Sequence, residues 1–292
     1  MRATGRPPAT GVPGLGRAGD DTANTLPRGS PVMPRRGTMA PRSVLITGAT
    51  GGIGGALARA YAEPGRTLFL QGRDTQRLAA VAEECALRGA RVLTKVLDLR
   101  DRVALVAWLQ SVSSAEPLDL VIVNAGVNTS IGADAAGERW AAVEELIAVN
   151  VLAAMATVDA VLPAMRARRS GQLALISSLA AYYGLPVTPS YCASKAALKA
   201  YGEAIRGWLA GEGVRVSVVM PGYVESQMCR EMPGPKPFLW SAERAAQHIR
   251  LGLARNRARI SFPFPLNLGT WLLAVLPPPV SERLLRLLGY RG

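Results

Sequence analysis

Residues 44–63 read VLITGATGGIGGALARAYAE, an apolar run followed by a glycine-rich turn and an alanine-rich stretch. The pattern predicts a strand at 44–47 and a helix at 52–63. Glycines at the start of a helix let the backbone approach a pyrophosphate, whose charge the helix N-terminus stabilises. The spacing Gly48-x3-Gly52-x-Gly54 differs from the usual dinucleotide fingerprint. For the glycines alone, a tight turn without a ligand is therefore an equal alternative.

The same alternation of short apolar runs and helical stretches continues towards residue 250. Strands are predicted at 67–71, 92–97, 118–124, 173–177 and 214–220. Helices are predicted at 75–88, 102–111, 138–168 and 191–210, with Pro163 marking a kink or an end in the third of them. Repeated β-α units predict a single α/β domain, a doubly wound parallel sheet of the Rossmann-like type with helices on both faces.

The positive charge of the chain lies at its two ends. Of the net +13, residues 1–42 account for +5 and residues 250–292 for +6, which leaves only +2 for the body. The body carries no basic stripe interleaved with aromatic residues, so nucleic acid is not an expected partner. Residues 1–42 hold seven Gly and seven Pro and predict a disordered basic extension. The alternative is a mis-assigned start, with Met33 or Met39 as the true first residue.

Histidine and cysteine are too sparse for several kinds of site. The chain has one histidine, His248, and three cysteines without metal-type spacing, so no metal is predicted. A Ser-His-Asp triad would need that histidine and lacks the Gly-x-Ser-x-Gly elbow. A place on a surface helix at 241–250 is the simpler explanation of His248. An odd cysteine count favours a reducing compartment and a cytoplasmic location.

Tyr191 and Lys195 lie four residues apart, on one face of a predicted helix, and Ser178 precedes Tyr191 by 13 residues. A nearby ammonium favours the phenolate, so the pair can give or take a proton near neutral pH. A large downward shift of the tyrosine pKa needs partial desolvation and a second cation, such as an oxidised nicotinamide ring. The Tyr-x-x-x-Lys spacing alone is a weak signal, but it gains weight from the glycine turn and Ser178.

These motifs, taken with several others in chain order, resemble the classical branch of the short-chain dehydrogenase/reductase family. The others are Asn124-Ala125-Gly126, Asn150 and Pro221-Gly222, and Val123 stands where a second asparagine is usual. The resemblance covers about residues 43–250 and implies a dinucleotide-binding catalytic domain. It implies hydride transfer between a nicotinamide and a carbonyl or alcohol group.

The resemblance also implies a role for each of four side chains. Tyr191 would be the general acid or base, and Lys195 would lower its pKa and hold the nicotinamide ribose. Ser178 would orient the substrate oxygen, although its neighbour Ser177 competes for this role. Asn150 would hold a water in the proton relay, and a locally bonded helix residue is the alternative.

Cofactor contacts follow from the same resemblance. They are Gly48, Thr50, Gly51, Gly52, Ile53, Gly54, Arg73, Asp98, Leu99, Asn124, Ala125, Gly126, Tyr191, Lys195, Pro221, Gly222, Val224 and Ser226. Asp98 is the expected partner of the adenine ring. Relatives that use NAD carry a carboxylate where this chain has Gly72, and Arg73 follows it. Because a guanidinium binds a 2′-phosphate strongly, NADP (NADPH) is predicted in preference to NAD, although Asp74 stands close by.

Residues 251–292 are predicted to form an apolar C-terminal appendage. No charged residue occurs between Arg259 and Glu282, and the apolar piece 266–276 is shorter than the ~20 residues that span a bilayer. Residues 281–288 predict an amphipathic helix capped by Ser281. Three interpretations are open: a subunit or core contact, a peripheral membrane contact aided by nearby arginines, and a substrate cap.

The sequence says less about the substrate. Apolar residues at 225–240, where the family carries its lid, favour an apolar carbonyl or alcohol compound. Members of the family commonly assemble, so a homo-oligomer is expected. A non-catalytic dinucleotide-binding regulator or scaffold of the same fold is the alternative to an enzyme.

Overall fold

Seven parallel strands form one sheet within residues 40–132, 134–232 and 234–290, which the computed structural model describes. The spatial order is β3-β2-β1-β4-β5-β6-β7. It reverses between β1 and β4, and open parallel sheets bind ligands at such a switch point. The strands are β1 Ser43–Ile46, β2 Thr67–Gly72, β3 Arg91–Val96, β4 Leu120–Val123, β5 Gly171–Ile176, β6 Val214–Pro221 and β7 Arg259–Phe262.

Helices cover both faces of this sheet, which confirms the predicted doubly wound α/β fold. In chain order they are α1 Gly52–Tyr61, α2 Thr75–Leu87, α3 Arg102–Ala115, α4 Trp140–Ile147, α5 Ala154–Ala167, α6 Pro189–Trp208, α7 Gln227–Glu231, α8 Ala242–Ala254, α9 Leu266–Val275 and α10 Pro278–Leu287. The predicted disordered extension falls almost wholly on residues 1–39, outside the described residues.

Strand β1 is buried on both faces, and its side chains alternate between two cores. Val44 and Ile46 belong to the cluster beneath α1, α2 and α8. Leu45 belongs to the cluster beneath α3, α5 and α6. Each fully buried aliphatic side chain contributes about 1.5–3 kcal/mol, so the two cores hold the strand ends in place.

The predicted helix 138–168 is interrupted at Asn150 rather than at Pro163. A π-helical segment, Ala148–Ala153, separates α4 from α5, and α5 continues through Pro163 to Ala167. The whole run Trp140–Ala167 is long and apolar enough to cross a membrane by length and composition, but half of its most apolar window is buried inside the protein. We attribute its composition to packing against the sheet.

The sheet continues beyond residue 250, because β7 lies within the segment predicted as an appendage. Helices α9 and α10 follow β7 and form a hairpin, which we call the C-terminal hairpin (266–287). Ser281 does not cap α10 as predicted, since the helix already begins at Pro278. Its side chain is buried instead, and its hydroxyl donates to the carbonyl of Leu273 at 2.8 Å.

Candidate active site

The glycine turn after β1 is packed so closely that two of its glycines cannot carry a side chain. Gly48 has a φ of +68°, and a Cβ there would lie 2.7 Å from Cα of Ala125. A Cβ on Gly54 would lie 2.2 Å from the Gly48 carbonyl oxygen. Gly51 begins α1 without a side-chain cap, so the first N–H groups of the helix are available to an anion.

Asn124 ties this turn to the end of β4. Its amide Nδ2 donates to the carbonyls of Thr47 and Gly48, both at 3.0 Å. The hydroxyl of Thr47 accepts from the backbone N–H groups of Asn124 and Ala125 at 3.1 and 3.2 Å. The carboxyl ends of β1 and β4 are thereby fixed together at the switch point.

The segment after β6 closes over the turn from the other side. A Cβ on Gly52 would lie 2.5 Å from the carbonyl oxygen of Glu225 and 2.8 Å from Cβ of Ser226. Ser226 caps the short helix α7 by accepting from the N–H of Cys229 at 3.0 Å. Glycine is therefore required at position 52, where the turn meets the segment after β6.

Lys195 is buried beside Tyr191 on one face of α6. Its Nζ donates to the carbonyl of Ile176 at 2.9 Å and lies 5.6 Å from the centre of the Tyr191 ring. A Cβ on Gly126 would lie 3.3 Å from this Nζ, so the glycine leaves room for the ammonium. The hydroxyl of Ser177 donates to the Lys195 carbonyl at 2.7 Å. Ser177 is thus a buried structural residue, whereas Ser178 is only half-buried.

Asn150 lies completely buried behind Gly126, in the π-helical segment. Its Oδ1 accepts from the N–H of Val127 at 2.8 Å, and its Nδ2 donates to the Val127 carbonyl at 2.9 Å. Nδ2 also lies 3.1 Å from the hydroxyl of Ser194, a neighbour of Lys195 on α6. Asn150 therefore joins the loop after β4 to the helix that carries Tyr191.

Burial is the largest influence on the pKa values of Tyr191 and Lys195. It raises the pKa of Tyr191 to about 12, while a hydrogen bond with Ser178 opposes this rise. It lowers the pKa of Lys195 to about 8. Without a further cation the phenol is therefore protonated, in line with the expectation that the phenolate needs more than the lysine alone.

The end of β2 has little space for a side chain at Gly72, where relatives that use NAD carry a carboxylate. A Cβ on Gly72 would lie 2.7 Å from Cγ2 of Thr50. Arg73 is more than half exposed and pairs with Glu145 at 3.2 Å. Sequence reasoning missed Arg77, in the first turn of α2, which also lines the cleft, pairs with Asp74 at 3.3 Å and contacts Gln227 at 3.1 Å.

Asp98, the predicted adenine partner, is already engaged by a neighbour. Its two carboxylate oxygens accept from the guanidinium of Arg100 at 2.6 to 3.1 Å. This contact holds the pKa of Asp98 below its usual range. The adjacent predicted contact, Leu99, is buried against the second core.

One cleft of about 1450 Å³ at the carboxyl ends of the strands connects these features. Every predicted cofactor contact lines it, as do Ser178, Tyr191 and Lys195, whereas Asn150 lies behind its wall. The C-terminal hairpin and the residue after it supply a leucine-lined wall of the cleft, as the substrate-cap interpretation of residues 251–292 expects. The leucines are Leu266, Leu272, Leu273, Leu276, Leu284, Leu285, Leu287 and Leu288.

His248 lies apart from this cleft. On α8 it contacts Trp240 edge-on, with ring centres 5.6 Å apart, and Phe262 at 5.0 Å. Burial lowers its pKa, and the nearby arginines Arg257 and Arg244 lower it further. The predicted surface histidine is in fact half-buried in an aromatic cluster.

A parallel sheet with a glycine turn at its switch point and a Tyr–Lys pair beside that turn defines a dinucleotide-binding oxidoreductase. The sequence also matches the family model for short chain dehydrogenases over residues 42–235. An uncharacterized oxidoreductase of Myxococcus xanthus is 37% identical over 245 residues, 84% of this chain and 96% of the relative. The chain belongs to the short-chain dehydrogenase/reductase family.

Two solved structures share this architecture. A metagenomic short-chain oxidoreductase in complex with NADP is 28% identical, with a TM-score of 0.64 over 77% of this chain and 97% of that one. A short-chain dehydrogenase from Sphingobium yanoikuyae in complex with NADPH is 24% identical, with a TM-score of 0.71 over 84% and 95%. The second comparison supports the fold alone.

Proposed function

We propose that the protein is an NADPH-dependent oxidoreductase that interconverts a carbonyl and an alcohol group in an apolar substrate. The carrying observation is that Ser178, Tyr191 and Lys195 line one cleft with the glycine turn. A nicotinamide dinucleotide suits this cleft, because the glycine turn lines it and the uncapped start of α1 presents free backbone N–H groups to a pyrophosphate. When bound, the cofactor supplies or accepts the hydride.

Tyr191 handles the proton in this proposal. Because burial raises its pKa to about 12, its hydroxyl is protonated at neutral pH and ready to donate to a carbonyl oxygen. In the reverse direction the phenolate must form, and the ammonium of Lys195 favours it. Ser178 hydrogen-bonds the same substrate oxygen and orients it. Asn150 positions the loop and the helix that carry these groups, through Val127 and Ser194.

The preference for NADPH rests on the end of β2. Thr50 occupies the space that a carboxylate at Gly72 would need. Arg73 and Arg77 place two guanidinium groups at this edge of the cleft, and guanidinium binds phosphate with paired hydrogen bonds. The metagenomic short-chain oxidoreductase described above is in complex with NADP, which supports the same choice.

The apolar substrate rests on the C-terminal hairpin. The leucines of α9 and α10 form the cleft wall opposite the glycine turn, and none of the lining residues on these two helices is charged. Such a wall favours an apolar group through burial of its surface. The homo-oligomer and the cytoplasmic location remain predictions.

The test is NADPH oxidation with a panel of apolar ketones and aldehydes, with NADH as the matched cofactor. Tyr191→Phe should lower turnover by about 10²–10⁴-fold and leave cofactor affinity nearly unchanged. Tyr201→Phe on the same helix, whose ring packs against the second core, is the matched control and should retain turnover. Tight NADPH binding without turnover on any panel member would favour the regulator instead.

A further inference from the structure

Helix α9 carries no charged residue, although only one of its faces is covered. One face turns inwards, where Leu266, Leu273 and neighbours line the cleft. The rest of the surface is exposed and carries apolar side chains at the i, i+3, i+4 and i+7 positions of one helical stripe, namely Leu268, Trp271, Leu272 and Val275, of which Leu272 also borders the cleft. Surface helices normally present polar residues there, so this stripe is an exposed apolar patch of the kind that marks an interaction site.

Helix α10 repeats the arrangement. Its buried face consists of Ser281 and Leu285. At the i, i+4, i+7 and i+8 positions it exposes a second apolar stripe, formed by Val280, Leu284, Leu287 and Leu288. The eight side chains of the two stripes are 38 to 75% exposed. Two adjacent helices of one hairpin therefore leave apolar stripes uncovered.

The charged residues of the hairpin lie beside the stripe on α10. At 100° per residue, Arg283 lies next to Val280 and Leu287, Arg286 follows it, and Glu282 lies between Arg286 and buried Leu285. Arg286 pairs with Glu282 at 3.6 Å, and among the described residues Arg283 makes no ion pair. An apolar face edged by arginine matches the pattern of helices that lie in the interface of a membrane.

We propose that the exposed face of the C-terminal hairpin docks on an anionic phospholipid surface. Each helix has ten residues and is about 15 Å long, so the hairpin lies along the interface and does not span the bilayer. A second copy of the chain is the less favoured occupant. The hairpin carries Arg283 and Arg286 against the single Glu282, so its net charge is positive, which anionic headgroups attract and a second copy of the same face repels.

Docking has a consequence for the cleft. Leu272, Leu284, Leu287 and Leu288 line the cleft and also belong to the exposed stripes. The rim of the cleft would then face the bilayer, from which an apolar compound could enter without crossing water. The docking itself does not depend on the enzymatic proposal, so the two fail separately.

The test is cosedimentation of the full chain with phosphatidylcholine vesicles, with and without phosphatidylglycerol. Val275→Glu puts a charge into the stripe at a position that is 58% exposed and outside the cleft lining. Its partition coefficient on anionic vesicles should fall at least about tenfold. Val103→Glu is the matched control, because Val103 lies on α3 and is 82% exposed. That variant should bind like the wild type, and thermal melting checks that both fold.

Three results would overturn the proposal. The wild type could fail to bind anionic vesicles, or its binding could survive Val275→Glu, which would assign it to another segment such as the basic residues 1–42. If Val275→Glu changes the oligomeric mass of the protein but not its binding to vesicles, the stripes would instead contact a second copy of the chain. As an independent readout, vesicles should shift the tryptophan fluorescence to the blue, and Trp271→Phe should remove most of that shift.

Discussion

The hydroxyls of Tyr223 and Tyr290 lie 2.8 Å apart and join the segment after β6 to the end of the described chain. The Tyr290 hydroxyl also donates to the carbonyl of Pro235 at 3.1 Å. Since a hydroxyl has one proton, Tyr223 is the donor within the pair. The hydrogen bonds thus run from Tyr223 through Tyr290 to the backbone at Pro235. Tyr290 also packs on Leu273 and Leu285, so it fastens the hairpin to the cleft.

Removing the two hydroxyls should have unequal effects. Tyr290→Phe leaves both the Tyr223 hydroxyl and the Pro235 carbonyl without this partner, and we expect a loss of about 1–3 kcal/mol in unfolding free energy. Tyr223→Phe keeps the bond to Pro235 and should cost less. Urea unfolding measures both variants. Equal losses would show that the bond to Pro235 contributes little to stability.

Arg73 and Glu145 should act on cofactor choice in opposite directions. Arg73→Ala removes a charged donor to the 2′-phosphate and should weaken NADPH binding by about 10–100-fold while sparing NADH. Glu145→Gln removes the carboxylate that pairs with Arg73 at 3.2 Å and should tighten NADPH binding. Fluorescence titration with both cofactors measures these affinities. Equal weakening of NADPH and NADH by Arg73→Ala would contradict the proposed phosphate contact.

Lys195 should make the stability of the cofactor-free protein depend on pH. Its folded-state pKa of about 8 lies below the usual 10.5, so the unfolded chain binds more protons between these values. Stability contributed by this group is therefore lowest below about pH 8 and rises with pH above it. Lys195→Met lacks this dependence.

Between about pH 7 and pH 10, we therefore expect the unfolding free energy of the wild type to rise by about 2 kcal/mol relative to that of Lys195→Met. Denaturant unfolding of both proteins across this range measures the difference, in which the other titrating groups largely cancel. A constant difference would mean that Lys195 titrates normally in the folded protein.

Replacing Gly51 and Gly54 separately by alanine should have very different effects on thermal stability. Gly54→Ala puts a Cβ 2.2 Å from the Gly48 carbonyl oxygen, a backbone atom that cannot move aside. We expect a marked loss of stability and of NADPH binding. A Cβ on Gly51 would meet the same oxygen at 3.5 Å, an ordinary contact, so Gly51→Ala should melt near the wild-type temperature. Thermal melting compares the two, and similar temperatures would refute the packing argument.

The sequence predicts the sheet and the close-packed glycine turn because both follow local rules. Periodicity locates the first six strands, and the spacing of Tyr191 and Lys195 on one helix face needs no knowledge of the rest of the fold. The turn glycines likewise report close backbone approach within a short segment.

Features that depend on contacts outside the local sequence pattern could not be predicted from the sequence. The strand β7 is only four residues long, and it pairs with β6 some 40 residues earlier. Ser281 looks like a cap but bonds Leu273 across the hairpin. The engagement of Asp98 by Arg100, and of Arg73 by Glu145, depends on side-chain geometry that spacing does not encode.

The position of the leucine-lined wall in the chain has an evolutionary consequence. Asn150, Ser178, Tyr191 and Lys195 all precede β6, whereas α9 and α10 follow β7. One recombination event in the turn between β7 and α9 would exchange the whole hairpin and leave all four residues in place. Under the proposed function, relatives that exchange this hairpin would differ in the compounds they accept and keep the same reaction.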